Sequence, residues 1–243
     1  MTAALTVERL EGGYGDSTVL HGVSLSVESG TIGVLLGRNG VGKTTLARCV
    51  AATLPVRSGR VLLGERVISG RPAHEAAAAG LGVLPQGKRV FRSLTVEENL
   101  NMGDMTRQRR AKRRVDVSRG WTRERILELF PVFGDRMRTR AGNLSGGEQQ
   151  MLAMARLMIG GPAVLVLDEP SEALSPARVK ELSGLLSGLR DEGMTILLIE
   201  QNLSFGLELA DEVFVMERGQ IAHRCEAREI SADMERIEAL LTL

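Results

Sequence analysis

The stretch Gly37-Arg38-Asn39-Gly40-Val41-Gly42-Lys43-Thr44-Thr45 decides the fold of this chain, because it contains the full phosphate-loop pattern GxxxxGK[ST]. The apolar run at residues 31–36 precedes it and is typical of a strand buried on both faces of a parallel sheet. A helical pattern follows at residues 43–54 and is closed by Pro55. A glycine-rich turn can match the pattern by chance, but a strand before it and a helix after it are the context that a phosphate loop requires. The stretch therefore predicts that the chain binds ATP.

Each part of the loop has a physical role. Glycines at positions 37, 40 and 42 permit backbone conformations closed to other residues, so that successive amides can point at one anion. The helix that begins at Gly42 adds the positive end of its dipole. Lys43 supplies a cation for the β- and γ-phosphates and is counted as catalytic, and Thr44 offers a hydroxyl to Mg²⁺. The residues expected to contact ATP are Gly37, Arg38, Asn39, Gly40, Gly42, Lys43, Thr44 and Thr45.

A second apolar run, at residues 164–167, ends in Asp168 and Glu169. Because a strand of this kind ends at the carboxyl edge of the sheet, both acids are expected where nucleotides bind in open α/β folds. Asp168 is expected to hold Mg²⁺ through its water shell, and Glu169 to polarise the attacking water. Many strands end in acids, so Asp168 and Glu169 indicate a nucleotide site only because the same chain contains a phosphate loop.

The composition and charge exclude several classes of protein. Hydrophobic residues make up 43% and charged residues 25%, which predicts an ordinary globular fold. The formal net charge of +1 argues against a whole-surface field that attracts nucleic acid or anionic lipid. Cys49 and Cys225 form no CxxC pair and no metal-ligand spacing, and are expected to be reduced thiols. No signal peptide is visible, and no apolar run reaches the roughly 20 residues of a membrane span, which predicts a soluble chain.

Strand and helix patterns alternate along the chain, which predicts an α/β fold with a mainly parallel core sheet. The runs assigned to that sheet are residues 31–36, 81–84, 164–167 and 195–199. The first thirty residues and residues 60–68 have the pattern of antiparallel strands, with a turn expected at residues 12–15. The spacing of Thr95 and Glu98 predicts a capping box at the start of a polar helical region.

Leu144-Ser145-Gly146-Gly147-Glu148 decides the family. Two glycines at the start of a helix form another anion site, with Ser145 as a hydroxyl donor, and a second such site implies another phosphate contact. In this order the motifs resemble those of the nucleotide-binding subunits of ABC transporters, over nearly the whole chain. The resemblance implies a P-loop ABC ATPase in which two cassettes face each other head to tail. Each ATP then lies between the phosphate loop of one chain and Ser145, Gly146 and Gly147 of the other.

The resemblance also implies an organisation and two further site residues. Residues 1–86 and 158–243 correspond to a RecA-like core with an antiparallel β subdomain, and residues 87–157 to an α-helical subdomain that docks on the membrane subunits. Tyr14 matches the aromatic residue that stacks on adenine, although a half-buried strand tyrosine is also consistent with its pattern. Gln86 matches the glutamine that contacts Mg²⁺ and transmits the nucleotide state toward the membrane.

Two positions depart from the family pattern. Gln201 stands where a histidine is usual, and a glutamine cannot carry the positive charge that a histidine can. Ser175 stands where an aspartate is usual. With Gln201 at a catalytic position, the chain is expected to hydrolyse ATP slowly by itself and faster beside a histidine-bearing cassette.

Several segments resemble one subgroup, the smaller ATPase of importers for branched-chain amino acids, with relatives that serve urea and short amides. These segments are residues 37–45, 85–89, 94–100, 130–131 and 200–202. The resemblance implies membrane-spanning permease subunits, a second and non-identical ATPase chain, and indirectly an extracytoplasmic solute-binding protein. The resemblance leaves a homodimer of the isolated chain as an alternative assembly. The implied location is peripheral, at the cytoplasmic face of the membrane.

The basic segment at residues 107–114 leaves other interpretations open. It is either a nucleic-acid patch or a solvated linker, and it lacks the interleaved aromatic residues on which bases stack. A nucleic-acid-acting ABC ATPase is the alternative from another class, although no long coiled coil, zinc cysteines or second cassette is present. The third hypothesis is a regulatory pseudo-enzyme that binds ATP without hydrolysing it. Glu169 argues against this hypothesis, because the expected general base is intact. No nucleic-acid partner is therefore expected.

Overall fold

The computed structural model describes residues 3–87, 90–112 and 121–242. Its central element is a six-stranded sheet in the order β10-β9-β3-β8-β7-β6, in which all neighbours except β10 and β9 run parallel. The strands are β3 (Ile32–Leu36), β6 (Leu81–Leu84), β7 (Val164–Asp168), β8 (Thr195–Glu200), β9 (Glu212–Glu217) and β10 (Gln220–Glu226). Every residue of β3, β7 and β8 is buried, because both faces of the sheet are covered. The predicted parallel core sheet is confirmed.

A second sheet is antiparallel, in the order β2-β1-β4-β5. Its strands are β1 (Ala3–Tyr14), β2 (Ser17–Glu28), β4 (Val56–Leu63) and β5 (Arg66–Val67). The turn expected at residues 12–15 is shorter than predicted, because Gly12 and Gly13 belong to β1 and only Gly15 and Asp16 form the turn. Gly13 is required by close packing, since a Cβ there would lie 2.0 Å from the carbonyl oxygen of Ser17.

Eight α-helices lie within the described residues. They are α1 (Lys43–Val50), α2 (Ala73–Ala78), α3 (Val96–Lys112), α4 (Arg123–Leu129), α5 (Gly146–Ile159), α6 (Pro176–Asp191), α7 (Leu203–Leu209) and α8 (Ile230–Thr242). None of them, within the described ranges, combines the length and apolar composition needed to cross a bilayer. The capping box at the start of α3 is present, because the Thr95 amide donates to Glu98 Oε2 at 2.7 Å and the Glu98 amide donates to Thr95 Oγ1 at 3.2 Å.

Two hydrophobic clusters pack on the two faces of the parallel sheet. Leu35 of β3 faces the cluster shared with α1 and the antiparallel sheet, whereas Val34 and Leu36 face the cluster shared with the helices. This alternation follows from the period of two in a strand. The second cluster extends from Leu100 of α3 and Met154 of α5 to the sheet, so these two helices share a core with it.

The basic segment contains a buried arginine. Arg110 of α3 is 2% exposed and donates to the carbonyl oxygens of Ala77, Gly160 and Leu81 at 2.8, 2.8 and 2.9 Å. Burial lowers the pKa of this guanidinium to about 10. Arg110 therefore joins α3 to α2, α5 and β6, which the solvated-linker interpretation did not anticipate. Lys88, Arg89, Arg113 and Arg114, which belong to motifs named above, lie outside the described residues.

Candidate nucleotide site

The phosphate loop connects the buried end of β3 to α1, and its glycines meet different structural requirements. Gly40 and Gly42 have φ values of 82° and 114°, which an L side chain rarely adopts. Gly37 has no such φ, contrary to the expectation from the pattern. A Cβ at Gly37 would instead lie 2.9 Å from the carbonyl oxygen of Met216, so this position needs a glycine for space.

Lys43 lies folded back over the loop. Its side chain is 4% exposed, and its Nζ donates to the carbonyl oxygens of Gly37 and Arg38 at 2.7 and 3.1 Å. The same Nζ lies 3.2 Å from Glu169 Oε1. The tertiary structure therefore joins the phosphate loop to the acid after β7, which lies more than a hundred positions away in sequence.

Glu169 is positioned from three sides. Its φ of 49° is unusual for a residue other than glycine. Its amide donates to the Ile199 carbonyl at 2.8 Å, and Gln86 Nε2 donates to its Oε2 at 2.8 Å. A carboxylate held between an ammonium and an amide has the geometry to orient a water molecule and accept its proton.

Asp168 is almost fully buried beside this acid. Burial, and then the charge of Glu169, raise the pKa of Asp168 to about 6, while a hydrogen bond with the Thr44 side chain opposes the rise. Its Oδ1 is buried without a hydrogen-bond partner. The Asp168 carboxylate, the Thr44 hydroxyl and the side-chain carbonyl of Gln86 line one groove and offer only oxygen atoms, a donor set that suits Mg²⁺. The residues predicted for the metal thus fit it.

A cleft of about 460 Å³ opens above the loop, within the range of small-ligand sites. Tyr14 lies on its rim, 43% exposed, and its hydroxyl accepts a bond from Arg48 Nη1 at 3.3 Å. The predicted residues that line it are Tyr14, Arg38, Asn39, Gly40, Gly42, Lys43, Thr44, Thr45, Gln86 and Glu169. One cleft therefore brings the predicted phosphate-loop residues other than Gly37 together with Tyr14, Gln86 and Glu169.

Gln201 lies in an adjoining cleft of about 340 Å³ that Glu169 and Gln86 also line. Its backbone is held by Glu200, a residue of the 200–202 segment for which the sequence patterns predicted no role. The Glu200 carboxylate is buried and accepts the amides of Ser171 and Gln201 at 3.0 and 3.2 Å. Burial raises the pKa of Glu200. The sequence signal that could have identified Glu200 is the one that identified Asp168, since both acids end an apolar strand.

Ser145, Gly146 and Gly147 do not line the phosphate-loop cleft. Ser145 caps α5, since its Oγ accepts the amide of Glu148 at 3.3 Å and Glu148 Oε2 accepts the Ser145 amide at 2.9 Å. The Ser145 hydroxyl proton is still available to an acceptor, because capping uses only a lone pair. A single chain therefore does not bring this segment to its own phosphate loop.

Three relatives are similar over nearly the full length. The high-affinity branched-chain amino acid transport ATP-binding protein BraG of Pseudomonas aeruginosa is 39% identical, with 89% of this chain and 90% of BraG covered. The probable branched-chain amino acid transport ATP-binding protein LivF of Archaeoglobus fulgidus is 36% identical, with 97% of each covered. The lipopolysaccharide export system ATP-binding protein LptB of Escherichia coli is 32% identical, with 95% of this chain and 94% of LptB covered.

The fold is similar to that of solved cassettes. The ADP conformation of MJ1267, an ATP-binding cassette of an ABC transporter, aligns with a TM-score of 0.82 and 26% identity over 98% of each chain. Residues 20–172 match the protein family described as ABC transporter, a span that runs from β2 through the phosphate loop and Ser145 to the acids at the end of β7. The chain therefore belongs to the ABC transporter family, as an ATP-binding subunit that hydrolyses ATP.

Proposed function

We propose that this chain is the energy-coupling ATPase of an importer for branched-chain amino acids. Import and solute rest on the similarity to BraG and LivF, whose names state that transport. LptB, which serves export, is less similar to this chain. An importer for urea or short amides is the alternative within the same subgroup.

The observation that carries the enzymatic part is the contact of Lys43 and Gln86 with Glu169. Lys43 binds the β- and γ-phosphates, and the loop amides hold them in place. Mg²⁺, held by Thr44, Gln86 and a water on Asp168, would neutralise charge on the phosphates. Glu169 orients the attacking water and accepts its proton. Tyr14 stacks on the adenine at the rim of the cleft.

A second cassette completes each site. Ser145, Gly146 and Gly147 lie outside their own cleft, so their amides and hydroxyl are available to the phosphates bound by another chain. Gln201 lacks the charge that a histidine can carry, so the other cassette is a non-identical, histidine-bearing chain. ATP binding closes the pair, and hydrolysis reopens it.

A groove of about 640 Å³ is the docking surface for the permease. Phe91 and Met102, which are 48% and 38% exposed, line it together with Gln86 and Asp168. Because Gln86 also lines both nucleotide-facing clefts, one side chain connects the groove to Glu169. In this proposal residues 87–157 form the helical subdomain, and they dock on the permease at the cytoplasmic face of the membrane. The solute-binding protein outside acts through the permease.

The test is co-purification of the chain with its permease and second ATPase, followed by ATPase assays with leucine, urea or a short amide. We expect leucine to stimulate hydrolysis most. Lys43→Ala is the matched control and loses nucleotide binding, because the phosphates lose their cation. Unchanged ATP affinity in that variant would refute the phosphate-loop assignment. Salt-sensitive binding of the purified chain to DNA or RNA would favour the nucleic-acid alternative.

A further inference from the structure

Three metal-ligating side chains meet where the last strand joins the last helix, away from the nucleotide clefts. His223 and Cys225 lie two positions apart on β10, so both point to the same face of the strand. Asp233 comes from α8 on that face, and His223 Nε2 lies 2.9 Å from Asp233 Oδ2. One ligand atom from each of the three residues lies within 4.8 Å of the other two.

The burial of the three side chains differs in a way that suits an ion site. Cys225 is 3% exposed, the His223 side chain is 8% exposed and the Asp233 side chain is 33% exposed. The thiol and imidazole are therefore largely shielded from water, while the carboxylate leaves a path to solvent. A closed hydrogen-bonded pair of His223 and Asp233 is the alternative use of the same groups.

The surroundings favour a cation. Burial, and after it the charges of Asp233, Glu229 and Glu212, raise the pKa of the Cys225 thiol, so three carboxylates act on the sulfur. Arg224 pairs with Glu212, which removes part of this negative potential. The remaining carboxylates still leave a negative field at the sulfur, and that field stabilises a bound divalent ion.

We propose that His223, Cys225 and Asp233 bind a thiophilic divalent cation of the Zn²⁺ class, with water as the fourth ligand. A thiolate and an imidazole select such an ion over Mg²⁺, which takes oxygen ligands. Zn²⁺ bonds of about 2.0 to 2.3 Å place tetrahedral ligand atoms roughly 3.3 to 3.8 Å apart. The His223–Asp233 pair at 2.9 Å then has to open by about 0.4 Å, and separations of up to 4.8 Å in the cluster have to close by about 1 Å.

The cluster of His223, Cys225 and Asp233 is not visible from spacing along the sequence. Cys225 has no second cysteine nearby in the sequence, and Asp233, the third proposed ligand, lies on α8 rather than on β10. A bound ion would fasten α8 to the edge of the parallel sheet. It would act independently of the ATP-bound Mg²⁺, because the two donor sets share no residue.

The experiment is a Co²⁺ titration of the full chain in excess Mg²⁺, which occupies oxygen-only sites. We expect one Co²⁺ per chain, with a thiolate-to-metal charge-transfer band and the intense d–d bands of tetrahedral cobalt. Zn²⁺ should displace the cobalt and raise the thermal midpoint of unfolding, and a chelator should reverse that rise.

Variants locate the site. Cys225→Ser should remove the charge-transfer band, and Asp233→Asn should weaken Co²⁺ binding by roughly 100-fold, since even outer-sphere partners contribute 10- to 100-fold. Cys49→Ser and His74→Gln are matched controls, because neither residue belongs to the cluster, and they should bind as the parent does. If the buried change Cys225→Ser prevents folding, Asp233→Asn still tests the site, because the Asp233 side chain is partly exposed and its replacement should leave the fold intact. Octahedral cobalt spectra, or equal binding by Asp233→Asn and the controls, would overturn the proposal.

Discussion

Asp168→Asn is expected to stabilise the chain while it abolishes ATP hydrolysis. The folded protein keeps Asp168 buried beside Glu169, with Oδ1 unpaired. Its pKa rises from 3.8 to about 6, and at 1.36 kcal/mol per unit this costs about 3 kcal/mol when the group is charged. An asparagine removes that charge, so we expect the free energy of unfolding to increase by about 1 to 3 kcal/mol near pH 7.5.

The pH dependence gives the prediction its sign. Because the folded pKa of Asp168 lies above the unfolded one, its protonation stabilises the fold below about pH 4, and that stability is lost as the pH rises through about 6. The advantage of Asp168→Asn should therefore be largest above pH 6. It should fall to about one third by pH 4.5, where the parent carboxyl is mostly protonated in the folded state.

The assay is urea unfolding in a chelator at several pH values, with calorimetry in parallel. A chain of this length should show a rise in thermal midpoint of roughly 2 to 12 °C, since each kcal/mol corresponds to about 2 to 4 °C. Mg²⁺ with a non-hydrolysable ATP analogue should stabilise the parent more than the variant, because only the parent keeps the carboxylate. A variant that is less stable than the parent, or equally stabilised at pH 4.5 and 7.5, would refute the electrostatic reasoning.

Three further predictions concern the catalytic edge of the sheet. Glu169→Gln should keep ATP binding and form ATP-stabilised dimers on size exclusion, with kcat lower by about 10²- to 10⁴-fold, and normal turnover would place the base elsewhere. Gln201→His should raise kcat of the isolated chain by about tenfold or more, whereas fast turnover by the parent alone would contradict the role given to Gln201. Glu200→Gln would turn an amide N–H toward the backbone amides of Ser171 or Gln201, at a cost of about 1 to 3 kcal/mol in stability. It should lower kcat with little change in KM for ATP, and an equal change in both would indicate a purely structural role.

Local patterns predicted much of the fold because the buried strands of the parallel sheet are short apolar runs and because α3 and α5 begin at recognisable caps. The phosphate loop between a buried strand and a helix, the capping box at Thr95 and the cap at Ser145 are all present where the patterns placed them. Errors concern boundaries. Helix α1 was expected to reach residue 54 but ends at Val50, and Ala52 just beyond it has a left-handed φ of 54°.

The sequence by itself determined which groups are available for phosphate and metal chemistry, since contiguous motifs encode a loop, a helix end and acid-ended strands. Only the tertiary structure decided which of them meet. The order of strands in the parallel sheet is set by pairing between distant segments, and that order brings Lys43 to Glu169 and leaves Asp168 Oδ1 unpaired. The same physical reason applies to His223 and Asp233, because the contact between β10 and α8 depends on packing rather than on spacing along the chain.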